Sequence, residues 1–80
     1  MKKLNRKYAA FDLGEGFVLE IIGDDNSTDY YISHEDYSMK SLCFGVFSPF
    51  DECLNELEND LTDADYTEYM DAYRDEYMDK

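Results

Sequence analysis

Eighty residues carrying a formal net charge of −13 make one small domain with a modest core and no space for a deep, water-excluded active site. Hydrophobic residues reach 44% and aromatics 16%, which is too apolar for a disordered acidic tail. Such a surface repels nucleic acid and anionic membranes and is drawn to basic proteins.

The charge is unevenly spread. Lys2, Lys3, Arg6 and Lys7 open the chain with no acid among the first ten residues. Residues 11–50 hold eight acids against Lys40, and residues 51–80 hold twelve against Arg74 and Lys80. Self-repulsion of this kind lowers folding stability, most at low salt.

The basic start resembles a signal-peptide n-region. However, Tyr8 to Gly16 contains Asp12 and Glu15, so no apolar h-region follows. No stretch approaches the ~20 apolar residues needed to span a bilayer. A cytoplasmic protein is expected, with Cys43 and Cys53 reduced. Two cysteines ten positions apart with one histidine in the chain do not make a zinc site. Both are expected in the core.

The first half reads as strands. Tyr8–Leu13 is short and mixed, and Gly14-Glu15-Gly16 is a turn signal. Phe17–Ile22 is rich in β-branched and aromatic residues and ends at Gly23. Asp24–Asp29 is a polar loop of turn formers. Tyr30–His34 resumes the strand pattern, and Glu35–Lys40 is a second polar connection. Ser41–Phe47 alternates, with Leu42, Phe44 and Val46 on one face and Cys43, Gly45 and Phe47 on the other. These connections are too short for parallel crossovers, so a three- or four-stranded antiparallel meander is expected.

The second half reads as two helices. Ser48, Pro49 and Asp51 fit the N-cap, N1 and N3 positions. Phe50, Cys53, Leu54, Leu57 and Leu61 then form a core-facing stripe. Thr62-Asp63-Ala64-Asp65 repeats the cap pattern, and Tyr66, Tyr69, Met70, Tyr73 and Tyr77 repeat the stripe. Asp75, Glu76 and Asp79 oppose the helix dipole, so they are not there to stabilise the helix. The fold class expected is α+β, an antiparallel sheet followed by two C-terminal helices.

Catalytic constellations are weak. His34 lies beside Glu35 and Asp36, but no nucleophile elbow, phosphate loop or paired metal motif accompanies it. Asp24, Asn26, Thr28 and Glu35 match positions 1, 3, 5 and 12 of a calcium-binding helix–loop–helix. Asp29 falls where the sharp turn demands glycine, so a hairpin loop with Asx-type turns is the expectation. No enzyme activity, cofactor or metal is expected.

The acidic helix is the strongest constellation. Asp63, Asp65, Glu68, Asp71, Asp75, Glu76 and Asp79 fall on a helix roughly 25 Å long, about one carboxylate per 3.6 Å of axis. One DNA strand presents a phosphate about every 3.4 Å. Asp51, Glu52, Glu56, Glu58 and Asp60 extend this surface, as do Asp24, Asp25 and Asp29 of the central loop. Tyr69 and Tyr73 beside these acids suit a protein interface, where tyrosine gives contact area and a hydroxyl at low entropy cost.

In length, charge, aromatic content and strand-then-helix order, the chain resembles the small acidic anti-defence proteins of phages and mobile elements. It is most similar to the anti-CRISPR proteins that act as DNA mimics. The resemblance covers the whole chain and rests on no shared motif. It implies a place in the host bacterial cytoplasm; a monomer or weak homodimer is expected, and the acidic surface is expected to bind no nucleic acid or membrane directly. It further implies a basic nucleic-acid-binding partner, a CRISPR effector nuclease, whose positively charged channel the protein would occupy. Two alternatives share the electrostatics or dispense with them. One is an immunity or antitoxin protein masking a nuclease toxin; the other is a regulatory interaction protein with solubilising acids.

Overall fold

A computed structural model describes residues 6–60 and 63–78, and for Asp63 and Ala64 only the backbone. The expectations for Leu61, Thr62 and Asp79, and for the Asp63 side chain, fall outside the described residues. Four strands, β1 (Lys7–Gly14), β2 (Phe17–Gly23), β3 (Thr28–His34) and β4 (Ser41–Val46), form one antiparallel sheet in sequence order. Two helices follow, α1 (Phe50–Asn55) and α2 (Asp63–Tyr73), each continued by a wider π-helical turn, Glu56–Asp60 and Arg74–Met78. The fold is α+β, with the sheet first and the helices second.

Turn chemistry sets the meander. Gly14 pairs with Phe17, leaving a two-residue turn with positive φ at Glu15 (55°) and Gly16 (85°). That is the hand a tight hairpin needs; Gly16 adopts it freely, and Glu15 takes the left-handed conformation at a cost that a glycine would avoid. The tip of β1 also shifts register between Asp12 and Gly14, a bulge-like irregularity that twists the strand end. The loop after β2 is closed by Asp24, whose Oδ1 accepts the Asn26 N–H (2.8 Å) and the Ser27 N–H (3.1 Å). This is the expected Asx-type turn.

The helices cover one face of the sheet. Leu13, Phe17, Leu19, Ile21, Tyr30 and Ile32 point from the strands into the core. Phe50, Cys53 and Leu57 meet them from α1 and its π-helical turn, and Met70 and Tyr73 from α2. Through these residues both helical stripes pack on the sheet, one of the arrangements their spacing leaves open beside packing on each other or on a partner.

Three local expectations are corrected. The N-cap of α1 is Pro49, and no side chain caps the helix. The first helical N–H, of Phe50, is satisfied instead by the Asp24 carbonyl (2.8 Å), and the Ser48 backbone carbonyl accepts from the Thr28 hydroxyl (2.9 Å). Cys43 is exposed rather than buried. It shares β4's solvent side with Gly45, while Leu42, Phe44 and Val46 pack toward the core. Tyr73, expected at a partner interface, is 0% exposed. Its ring meets Phe17 edge-on at 5.8 Å, and its hydroxyl points to the Lys40 carbonyl at 3.4 Å.

The fully buried position of Tyr73 gives a stability prediction. Tyr73→Ala should cost about 3–5 kcal/mol, as for other large aromatic truncations in a core. Tyr73→Phe keeps the ring and loses only one long hydrogen bond, so it should cost under about 1.5 kcal/mol. Urea titration followed by circular dichroism checks both values.

Candidate protein-binding surface

The outer side of the helical layer is mostly acidic, with Asn55, Asn59, Thr67 and Ala72 its uncharged exposed positions among the described residues. Its exposed residues include Asp51, Glu52, Glu56, Glu58 and Asp60 from α1 and its π-helical turn. From α2 and the turn that follows they include Glu68, Asp71, Asp75 and Glu76, with Asp65 half-exposed. The cause is the amphipathic spacing: turning Met70 and Tyr73 inward leaves the intervening positions facing water. Tyr69 is half-buried, and its ring lies 6.1 Å from both Tyr30 and Phe44. Burial pushes its hydroxyl pKa up, helped by the carboxylates of Glu56, Asp65 and Glu68. Tyr69 is thus a ring set into the acidic surface, anchored from below.

The predicted acids divide between two faces. Asp25 and Asp51 lie at the end of the molecule where Lys7 reaches across. The Lys7 ammonium bonds Asp51 at 2.9 Å, and that bond, with the nearby Asp25 charge, raises its pKa. Asp24 is a structural acid: the two N–H groups it accepts hold its carboxyl below the usual range. Asp29 does not join the helical surface. It lies on the opposite, uncovered side of the sheet, in register with Ile22 and Gly45, and 3.9 Å from the Arg6 guanidinium.

That uncovered sheet face was missed in the sequence. It carries Tyr8, Asp12, Val18, Glu20, Ile22, Asp29 and Tyr31, aligned across the strands by their register. The Tyr8 hydroxyl donates to Glu20 at 2.5 Å. Tyr8 remains 59% exposed and Phe47, just past β4, is 99% exposed. The available signal was the alternation of Glu20, Asp29 and Tyr31 against buried neighbours. Phe17–Ile22 is apolar on both sides, which obscured which side the helices cover.

The described cations are consumed internally. Arg74 bonds Asp71 (3.0 Å), approaches Glu15 (3.7 Å) and lies over the Phe17 ring at 4.9 Å. Lys40 lies over the rings of Tyr37 and Tyr77 at 5.8 and 5.5 Å. Glu68, Asp75 and Glu76 have no cation partner among the described residues, so their charge is presented outward.

His34 acts as a brace. It is 8% exposed, its Nε2 lies 3.0 Å from the Glu15 carbonyl and its Nδ1 accepts the Asp36 N–H at 3.1 Å. Those bonds assign the proton to Nε2 and leave neither nitrogen free for a substrate. An open depression beside it is lined by Asp12, Glu15, Ser33 and Glu35. Among the described residues no helix is long and apolar enough to cross a membrane.

Two pH dependences follow from these environments. Tyr30, Tyr69 and Tyr73 have hydroxyl pKa values raised chiefly by burial above the ordinary value of 10.0. For Tyr73, burial is the first cause, followed by the neighbouring hydroxyls of Tyr77 and Tyr37. The unfolded chain ionises these groups first, so the stability they contribute is present below about pH 10 and lost as pH rises beyond it. The exposed tyrosines ionise without unfolding, so in an alkaline titration only the part of the tyrosine absorbance that belongs to these three rings should appear together with the loss of helical ellipticity. Asp24 behaves oppositely. Its contribution is present above the ordinary value of 3.8 and is lost as pH falls through its lower folded value. Asp24→Ala should lower stability at neutral pH and flatten the acid limb of the melting-temperature profile.

No protein-family model, curated protein or solved structure matches the chain. The surface geometry alone carries the functional reading.

Proposed function

We propose that the protein is an acidic inhibitor that acts by DNA mimicry. It occupies the positively charged nucleic-acid channel of a basic nuclease, in the first place a CRISPR effector, and blocks target DNA in the host bacterial cytoplasm. The observation that carries this reading is the one-sidedness of α2 and the turn that continues it. Met70 and Tyr73 are buried, while Glu68, Asp71, Asp75 and Glu76 face outward from an ordered helix. Carboxylates fixed this way act as a preorganised anionic array, which loses less entropy on binding than a flexible acidic tail. A channel evolved for phosphates would attract it over long range and give fast, salt-sensitive association. Tyr69, half-buried among Glu56, Asp65 and Glu68, supplies a ring where residence time is gained, because peripheral charge pairs are individually weak.

The first test is capture from bacterial lysates containing CRISPR effectors, with elution by rising salt and identification by mass spectrometry. A basic nuclease retained to moderate salt and displaced by its own DNA supports the reading. Recovery of no basic nucleic-acid enzyme, or of a neutral partner insensitive to salt, overturns it. The matching variant is the triple change Glu68→Lys, Asp75→Lys and Glu76→Lys. These side chains hold no described cation, so the fold should survive. Affinity for the captured nuclease should fall by about tenfold or more, since several like-charge contacts replace attractive ones. Unchanged affinity of the folded variant would remove α2 from the proposal.

A further inference from the structure

The two edges of the sheet are built differently. β1 carries the usual protections of an exposed edge: Lys7 and Asp12 lie on it, and its register shifts near the tip. β4 carries neither kind. It is the other outer strand, its pairing with β3 is regular from Ser41 to Val46, and it has neither charge nor proline. It also lies within the longest uncharged run in the chain, the ten residues from Ser41 to Phe50, in a protein that is 34% charged. Apart from the Ser41 carbonyl at its start, which the Tyr77 hydroxyl bonds at 2.8 Å, the edge is regular, apolar and uncharged, a template for another strand.

We infer that β4 pairs antiparallel with β4 of a second copy, joining two four-stranded sheets into one continuous eight-stranded sheet. The charge distribution selects this occupant. Two molecules of net charge −13 repel wherever carboxylates meet. In an antiparallel β4 pair centred on Phe44, every residue from Ser41 to Val46 faces an uncharged one. This edge is therefore where two copies approach at least electrostatic cost. On the sheet's helix-covered side the pair brings Leu42, Phe44 and Val46 of the two copies together. Just past the strand end, Phe47, 99% exposed, falls across from Ser41 of the second copy and loses part of its contact with water.

The inference does not rest on DNA mimicry, and salt separates the two. Backbone pairing and apolar contact opposed by long-range repulsion should tighten as salt rises. Engagement of a basic nuclease should weaken.

Sedimentation velocity on the whole chain, across a concentration series at low and high salt, tests it. A monomer–dimer equilibrium is expected, with the dissociation constant falling severalfold or more as salt rises. Cys43→Asp places two like charges close to the two-fold axis, and Phe47→Asp removes the ring that covers Ser41 and adds to the repulsion between two acidic copies. Each should weaken the dimer by about tenfold or more, with circular dichroism and melting temperature little changed because both side chains are exposed. A short thiol–thiol cross-linker should trap the wild-type dimer through Cys43, while buried Cys53 stays unmodified. A protein that is monomeric at every concentration and salt overturns the inference. So does a dimer that survives both substitutions.

Discussion

A helical layer whose outer side is mostly carboxylate has to be held from underneath, and in this protein tyrosine does the holding. Tyr73 is buried beneath α2 against Phe17. The Tyr66 hydroxyl donates to the Leu57 carbonyl at 2.9 Å, tying the two helical segments together. The Tyr77 hydroxyl donates to the Ser41 carbonyl at 2.8 Å, tying the last turn to the start of β4. Leucine at these positions would supply apolar area but no donor. Tyrosine fills the core with its ring and satisfies a backbone carbonyl at its rim. The attachment is thus independent of the charges above it, and those charges are free to face outward.

A second junction fixes where the layer begins. Asp24 closes the loop between β2 and β3 with its carboxylate, and its backbone carbonyl receives the first N–H of α1. Thr28, 1% exposed, reaches the Ser48 carbonyl just before that helix. Gly23 permits this closeness: a Cβ there would stand 2.6 Å from the Ser27 carbonyl oxygen. The loop acids are therefore not equivalent. Asp24 is committed to the fold, Asp25 is exposed at the same end, and Asp29 faces the far side of the sheet. A surface drawn from sequence as one continuous array is two surfaces, back to back.

The architecture was legible because its signals are local and repeated. Alternation in Ser41–Phe47 and the helical spacing of Phe50, Cys53 and Leu57 each arise from one period. Burial obeys that period. The failures have a common origin in long-range competition. Ser48 has the right chemistry for a cap, but the first helical N–H is taken by the carbonyl of Asp24, far back in the chain. Cys43 has the right chemistry for a core, but it sits on the sheet side that no helix covers. Tyr73 and Tyr69 are indistinguishable in sequence, yet one is sealed and the other half-open, according to which turn of α2 lies over Phe17 or over Phe44. The widened turns at Glu56–Asp60 and Arg74–Met78 had no sequence signal; at the first, the Asn59 amide bonds the Asn55 carbonyl.

The brace at the other end of the sheet has a spectroscopic consequence. His34 is the chain's one histidine, and its two ring nitrogens are held in unlike roles, one beside the Glu15 carbonyl and one accepting from Asp36. A long-range nitrogen–proton correlation spectrum would therefore contain a single imidazole pattern, with no other ring to overlap it. The separation between its protonated and bare nitrogen signals would report whether the β1–β2 hairpin is closed. The molecule thus carries its own gauge of that turn, readable by isotope enrichment alone and requiring no attached label.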